Sequence, residues 1–334
     1  MNFSATALLI SSQLATSLAV TIFTISMCAL VAIPWLAAHM RFWGRRNGKK
    51  SYFTSADLLV RISMLCLSGV FIFGMLSFHL VSLRHSPALM TAIILMAPLS
   101  VAVPLLCFVW GAFCTLSKKT SRWSENDLLY LVAAGVAAVG ASVIVTALIA
   151  GAVDDSLWRD MRKDFISVFF SSSFLFGFVV ALLSSFLVGG ILLMLIGRRS
   201  FYWERGVSVS EGAFLIQMGA APSLFAVILL VAWVSGWWLF DGLVPLRAII
   251  YSSDIVLLSL SGVLVVGVVV LVEMLASVLK KKGNAPRTSF AVAVLLFVTV
   301  FSATSLFGMP DSPGALGQSQ KASKAMKQNL PGAR

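Results

Sequence analysis

Between Leu128 and Val153 the chain runs for 26 residues without a single charge. As a helix rising about 1.5 Å per residue, such a run more than crosses the ~30 Å hydrocarbon core of a bilayer. Comparable runs recur along the sequence. They are continuous rather than alternating, which predicts membrane-spanning helices and excludes a β-barrel. Only 11% of the 334 residues are charged and 59% are hydrophobic, where a soluble domain carries about 25% charged residues. The fold class that follows is all-α: a polytopic transmembrane helical bundle.

Eight spans are predicted, at 15–38, 57–83, 88–115, 128–151, 165–196, 211–239, 248–279 and 289–308. Residues 1–308 then form the bundle. Residues 309–334 form a flexible cationic tail, rich in Pro, Gly, Ser and Lys. The first residues carry no positive charge ahead of the apolar run, so the first span is expected to act as an uncleaved insertion signal. Lys and Arg alternate between the connecting segments. One side has fifteen, beginning with Arg41, Arg45, Arg46, Lys49 and Lys50, which are read as a loop; the other has five, Arg84, Arg159, Arg162, Lys163 and Arg247. The richer side is expected in the cytoplasm, which leaves both termini outside. Four further bases in the tail run against this, but they lie far from a span. The net charge of +12 is explained by cationic loops meeting anionic lipid. No basic-plus-aromatic motif points to nucleic acid.

Chemistry-bearing residues are scarce. Cys28, Cys66, Cys107 and Cys114 all lie in apolar runs, and no C-x-x-C or C-x-x-C-H occurs, so they read as small buried apolar residues. There are three histidines: His39 on the inner side, His79 and His85 on the outer. Two bis-histidine haems need four, so a two-haem b cytochrome is excluded by counting. His79 stays a candidate haem or quinone contact, beside the plainer reading of an interfacial ring bonded to a carbonyl or water. Asp57 and Arg61, four apart at the inner end of the second span, form a candidate intramembrane ion pair. Glu273, about two turns inside the seventh span, could join Arg61 or a loop lysine. No Walker, G-x-S-x-G or H-E-x-x-H motif occurs, and no metal site is assigned. The segment VDDSLWRDMRKD at 153–164 reads equally as an amphipathic surface helix or a solvated loop. Small residues in AAGVAAVGAS, 133–142, are expected to let a neighbouring helix approach closely.

Several blocks carry a resemblance. SQLATSLAV leads into VAIPWLAAHMRFWGRRNGKKSYF, followed by LSGVFIFGMLSF, MAPLSVAVPLL, LVAAGVAAVGAS and LLMLIGRRSF. In order and spacing these resemble the first five helices of subunit I of cytochrome bd-type quinol oxidases. The stretch YSSDIVLLSLSGVLVVGVVV with its basic exit KKKG is similar to a late helix of that family. The resemblance implies the scaffold but not the chemistry. The family's haem-ligating histidines would match places near Ile22 or Phe23 and near Ser173. Its acidic residues near the haems would match Ala102 and Trp110. Its long quinol-oxidising loop would shrink to the turn around Asp241 to Arg247.

The expected function is a cofactor-poor integral subunit of a bacterial respiratory electron-transfer complex, multi-pass in the inner membrane and not catalytic by itself. It would anchor a redox partner, a cytochrome or an iron–sulfur protein, and line part of a quinone pocket. No cofactor is assigned outright; haem b and quinone are the candidates. Two alternatives remain: a small-molecule transporter or channel, for which Pro34, Pro98, Pro104 and Pro222 fall within spans but no inverted repeat is visible, and a one-haem quinol-linked cytochrome using His79.

Overall fold

A computed structural model of the chain describes residues 3–84, 97–119, 125–153, 165–203 and 209–239, together with the isolated helical positions Val272 and Leu275. The predicted seventh and eighth spans, the tail, the turn at 241–247, His85, Glu273 and almost all of the 153–164 segment lie outside these residues. The described residues form α1 (Phe3–Asn47), α2 (Lys50–Arg84), α3 (Ala97–Lys119), α4 (Glu125–Val153), a 3₁₀ turn (Phe165–Phe170), α5 (Ser172–Trp203) and α6 (Val209–Leu239), with no strand among them. Five of the helices are long and apolar enough to cross a membrane, and α3 adds a shorter apolar stretch, Val101–Ser117.

Several boundaries differ from the sequence reading, and three of them bear on the packing. Helix α1 begins at Phe3, twelve residues before the predicted span, because no breaker interrupts SATALLISSQ. It also continues to Asn47, so Arg41, Arg45 and Arg46 stand on helix rather than in a loop. The fifth span opens with a 3₁₀ turn at 165–170, and its α-helix starts only at Ser172. Ser171 marks the change: its Oγ accepts from the Phe174 N–H at 3.2 Å and donates to the Val168 carbonyl at 2.7 Å. That is the N-cap bond which satisfies an otherwise orphaned amide.

Helix α1 is the axis of the bundle. It packs on α2, α4 and α5, while α3 lies on α4 and α6 lies on α5. The α1–α2 hairpin is tight. Gly48 adopts φ +64° just past the end of α1, the left-handed closure that only glycine enters without a Cβ penalty. Four residues earlier, a Cβ on Gly44 would meet the Phe53 ring at 3.0 Å. The small face of α4 behaves as its sequence suggests. Ala134, Ala137, Ala138 and Ala141 are buried, and a Cβ on Gly135 would stand 2.7 Å from the Trp35 ring of α1.

The closest backbone approach joins α5 to α6. A Cβ on Gly190 would collide with the Gly219 carbonyl and with Ser223 Oγ, and a Cβ on Gly219 would collide with the Gly190 carbonyl. Ser223 Oγ donates to the Leu187 carbonyl at 3.2 Å across the same seam. Lipid is as apolar as leucine, so helices associate in it by van der Waals fit and interhelical hydrogen bonds rather than by hydrophobic burial. We therefore expect Gly219→Leu to lower Tm in detergent by roughly 5 °C or more. Gly236→Leu, on the same helix with open space around it, is expected to leave Tm unchanged within about 1 °C.

Candidate functional site: a buried ion network at the cation-rich end

Four helices bring polar side chains together at one end of the bundle. Arg41, six residues before the end of α1, is 1% exposed, and Asp127, in the first turn of α4, is fully buried. Arg41 Nη1 donates to Asp127 Oδ1 and also to Ser117 Oγ at 3.0 Å. Ser117, in the last turn of α3, donates its own hydroxyl hydrogen bond to Asp127 Oδ1 at 2.5 Å. The second guanidinium nitrogen, Arg41 Nη2, reaches Asp57 Oδ1 on α2 at 2.9 Å. Arg45, one turn beyond Arg41 on the same face of α1, places Nη2 at 3.6 Å from Asp127 Oδ2.

Two arginines thus face two aspartates, and the cluster is neutral by count. Its layout follows from helix polarity. Cations gather at the C-terminal end of α1 and an anion at the N-terminal end of α4, where the helix dipoles favour those signs. Exposure is graded: Asp57 and Arg45 keep 22% and 20% of their side-chain surface, while the Arg41–Asp127 pair keeps essentially none. A buried charge is tolerable only when it is paired and its hydrogen-bonding capacity is used. Arg41 meets most of this through Nη1 and Nη2, with three partners from three other helices; its Nε and Asp127 Oδ2 are buried without a hydrogen bond. The cluster is consequently a four-helix staple whose charges are spent on each other.

Around it lie aromatic residues suited to a membrane–water boundary. The Arg46 guanidinium sits 5.5 Å over the Trp43 ring, and His39 meets Trp43 edge-on with centroids 6.1 Å apart. His39 is exposed and has no role in the network.

The sequence-predicted residues are distributed as follows. Asp57 joins the network through Arg41. Arg61, its expected partner, is exposed one turn further along α2. Glu273 lies outside the described residues. His79 is exposed near the opposite end of α2, far from His39. The sequence reading missed Arg41, Ser117 and Asp127 as members of a site. The available signal was a pair of arginines spaced four apart at the end of one apolar run, with an aspartate just ahead of another.

The places where the resemblance would set haem-ligating histidines (Ile22 or Phe23, and Ser173) and nearby acidic residues (Ala102 and Trp110) do not fit a haem. The Phe23 ring lies 3.1 Å from where a Cβ on Gly74 would stand, so it is packed against α2. Trp110 is wholly buried in the core and Ala102 is half-buried on α3. Ile22 is half-buried, and Ser173 is the second residue of α5. None of these five side chains is an axial ligand of the kinds haem proteins use. Among the described residues, no group of three or more His, Cys, Asp or Glu comes together that could hold a metal ion.

If the network is a staple, breaking it one-sidedly should be the most harmful change. Asp127→Leu is expected to cost about 3–5 kcal/mol by leaving Arg41 buried with half its compensation. The double variant Arg41→Met with Asp127→Leu, which removes both deeply buried charges, should cost less than Asp127→Leu alone. Thermal unfolding in detergent reads the order. A double variant whose loss equals the sum of the two single losses would contradict the pairing.

No family model matches the chain, and no curated protein matches it either. Among solved structures, the fold is similar to a chain of the bd oxidase from Geobacillus thermodenitrificans. The TM-score is 0.70 at 12% sequence identity, over 91% of this chain and 86% of that one. At that identity the likeness is one of fold. The two shares also make the chains comparable in length, so the likeness extends over nearly the whole of both.

Proposed function

We propose that the chain is a cofactor-poor integral subunit of a respiratory electron-transfer complex in the bacterial inner membrane, anchoring a partner that carries the redox centres. It is a multi-pass helical membrane protein with the fold of a bd oxidase chain. The observation that carries the functional reading is the filling of its interior. Where an electron carrier would have ligands facing a cavity, this bundle has one continuous hydrophobic core that includes Ile33, Leu59 and Trp110, with Phe23 packed against it. Its buried charges are already committed to holding α1, α2, α3 and α4 in place.

Such a bundle can orient another protein in the membrane and exclude water from their contact. Among its described residues, no cluster of His, Cys, Asp or Glu comes together to hold a metal ion. The same reading lets its outward apolar faces form one wall of a quinone pocket, since quinone tails suit clefts between helices. The catalytic turnover then belongs to the partner, and this chain contributes placement.

The test is purification of the full chain from its native membrane in mild detergent, with mass spectrometry and a reduced-minus-oxidised spectrum of what accompanies it. The expected result is a stoichiometric partner bearing haem or an iron–sulfur cluster, with the redox signal following the partner when the two are separated. A homogeneous chain with no partner at any detergent strength would contradict the proposal, and so would a redox signal that stays with this chain.

A further inference from the structure

Helix α2 turns a straight stripe outward. Arg61, Leu65, Ser68, Ile72, Met75 and His79 are all exposed, at steps that alternate four and three. That is the seam spacing by which one straight helix meets another along several turns. Leu65, next to Arg61 on the stripe, keeps 74% of its surface. Ser68 makes no demand on a neighbour, because its hydroxyl is turned back to the Met64 carbonyl at 3.2 Å.

Arg61 is the member that needs explaining. It lies four residues deeper in α2 than Asp57, about 6 Å along the axis. Asp57 marks the level of the ion network. Arg45 and Arg46 stand four and five residues nearer the membrane surface than Arg41, about another 6–7 Å. Arg61 therefore sits on the order of 12 Å deeper along the bundle than Arg45 and Arg46 at its cation-rich end. Among the described residues nothing pairs with it. A charge that far into a span is costly against lipid and ordinarily faces a partner or water. The outward face of α6 shows the contrast: Phe225, Ile228, Leu229 and Val231 are exposed there with no charge between them.

We propose that this stripe of α2 is an intramembrane docking seam for a transmembrane helix of another protein. That helix carries an Asp or Glu at the level of Arg61, with apolar side chains meeting Leu65, Ile72 and Met75. The inference adds a location to the functional reading above and rests on that reading's claim that a partner exists. Charge complementarity selects the occupant. A second copy of this chain is disfavoured, because a two-fold axis along the membrane normal would set Arg61 against Arg61. A lipid phosphate would have to be met well inside the end of the bundle that Arg45 and Arg46 mark.

The experiment uses the full chain in its native membrane, with the photo-crosslinking residue benzoylphenylalanine placed at Leu65 or Ile72, and at Phe225 as the control. Leu65 and Ile72 are each expected to give one discrete protein adduct. Mass spectrometry should map it to a spanning segment with a carboxylate within one turn of the crosslink to Leu65. Phe225 should give lipid adducts only. Arg61→Glu is expected to reduce the protein adduct about tenfold or more, while Arg61→Lys keeps at least about half of it. The result that would overturn the proposal is any of four: lipid adducts alone at Leu65, an adduct to a second copy, an adduct to this chain's own segment around Glu273, or a yield indifferent to Arg61→Glu. If a redox partner co-purifies but Leu65 finds only lipid, this inference falls and the functional reading stands; if no partner co-purifies, both fall.

Discussion

Everything in this bundle is arranged around the problem of keeping a guanidinium inside it. Arg41 is nearly sealed from solvent, and a cation there is bearable only with close, well-directed acceptors. Asp127, Asp57 and Ser117 provide them from α4, α2 and α3. Because each acceptor sits on a different helix, satisfying one side chain fixes the relative height and rotation of four. Apolar packing in lipid is tolerant of sliding by a turn; a buried ion pair is not. The register of α1 to α4 is set here, and the α5–α6 pair is then joined to α1 by small-residue contact, with a Cβ on Gly189 meeting Ala32 and Leu36 of α1 at 2.6 and 2.8 Å.

The proposed division of labour draws on the same arrangement. The charges at the cation-rich end are mutually compensated, so they are poorly placed to relay protons or to hold an ion of their own. The interior beyond them is filled by aromatic and aliphatic side chains. The proposed role rests on this filled interior, together with a likeness of fold to a bd oxidase chain.

Much of the architecture could be read from the chain before its structure. Uncharged runs announce the spans, because backbone polar groups in lipid can be satisfied only within a helix or a closed barrel. The alanine and glycine stretch at 133–142 announces a close helix contact, and Trp35 indeed lies on Gly135. The site was far less legible. Local spacing offers Asp57 to Arg61, four residues away; the third dimension brings it Arg41, sixteen residues away. Asp127 is 86 residues from Arg41, and charges at the ends of apolar runs mark both places without pairing them. Arg41 looked like a loop base for the same reason. A charge at the end of an apolar run ordinarily meets water, and only the convergence of four helices reverses that.

The central claim, that this polypeptide is a scaffold without a redox centre of its own, is tested most directly by haem quantification of the isolated chain. The chain would be separated from every partner, with folding verified by its thermal transition, and its haem measured by the pyridine haemochrome assay. The account predicts well below one haem per chain. One or more tightly held haems per chain, retained through the purification, would contradict it.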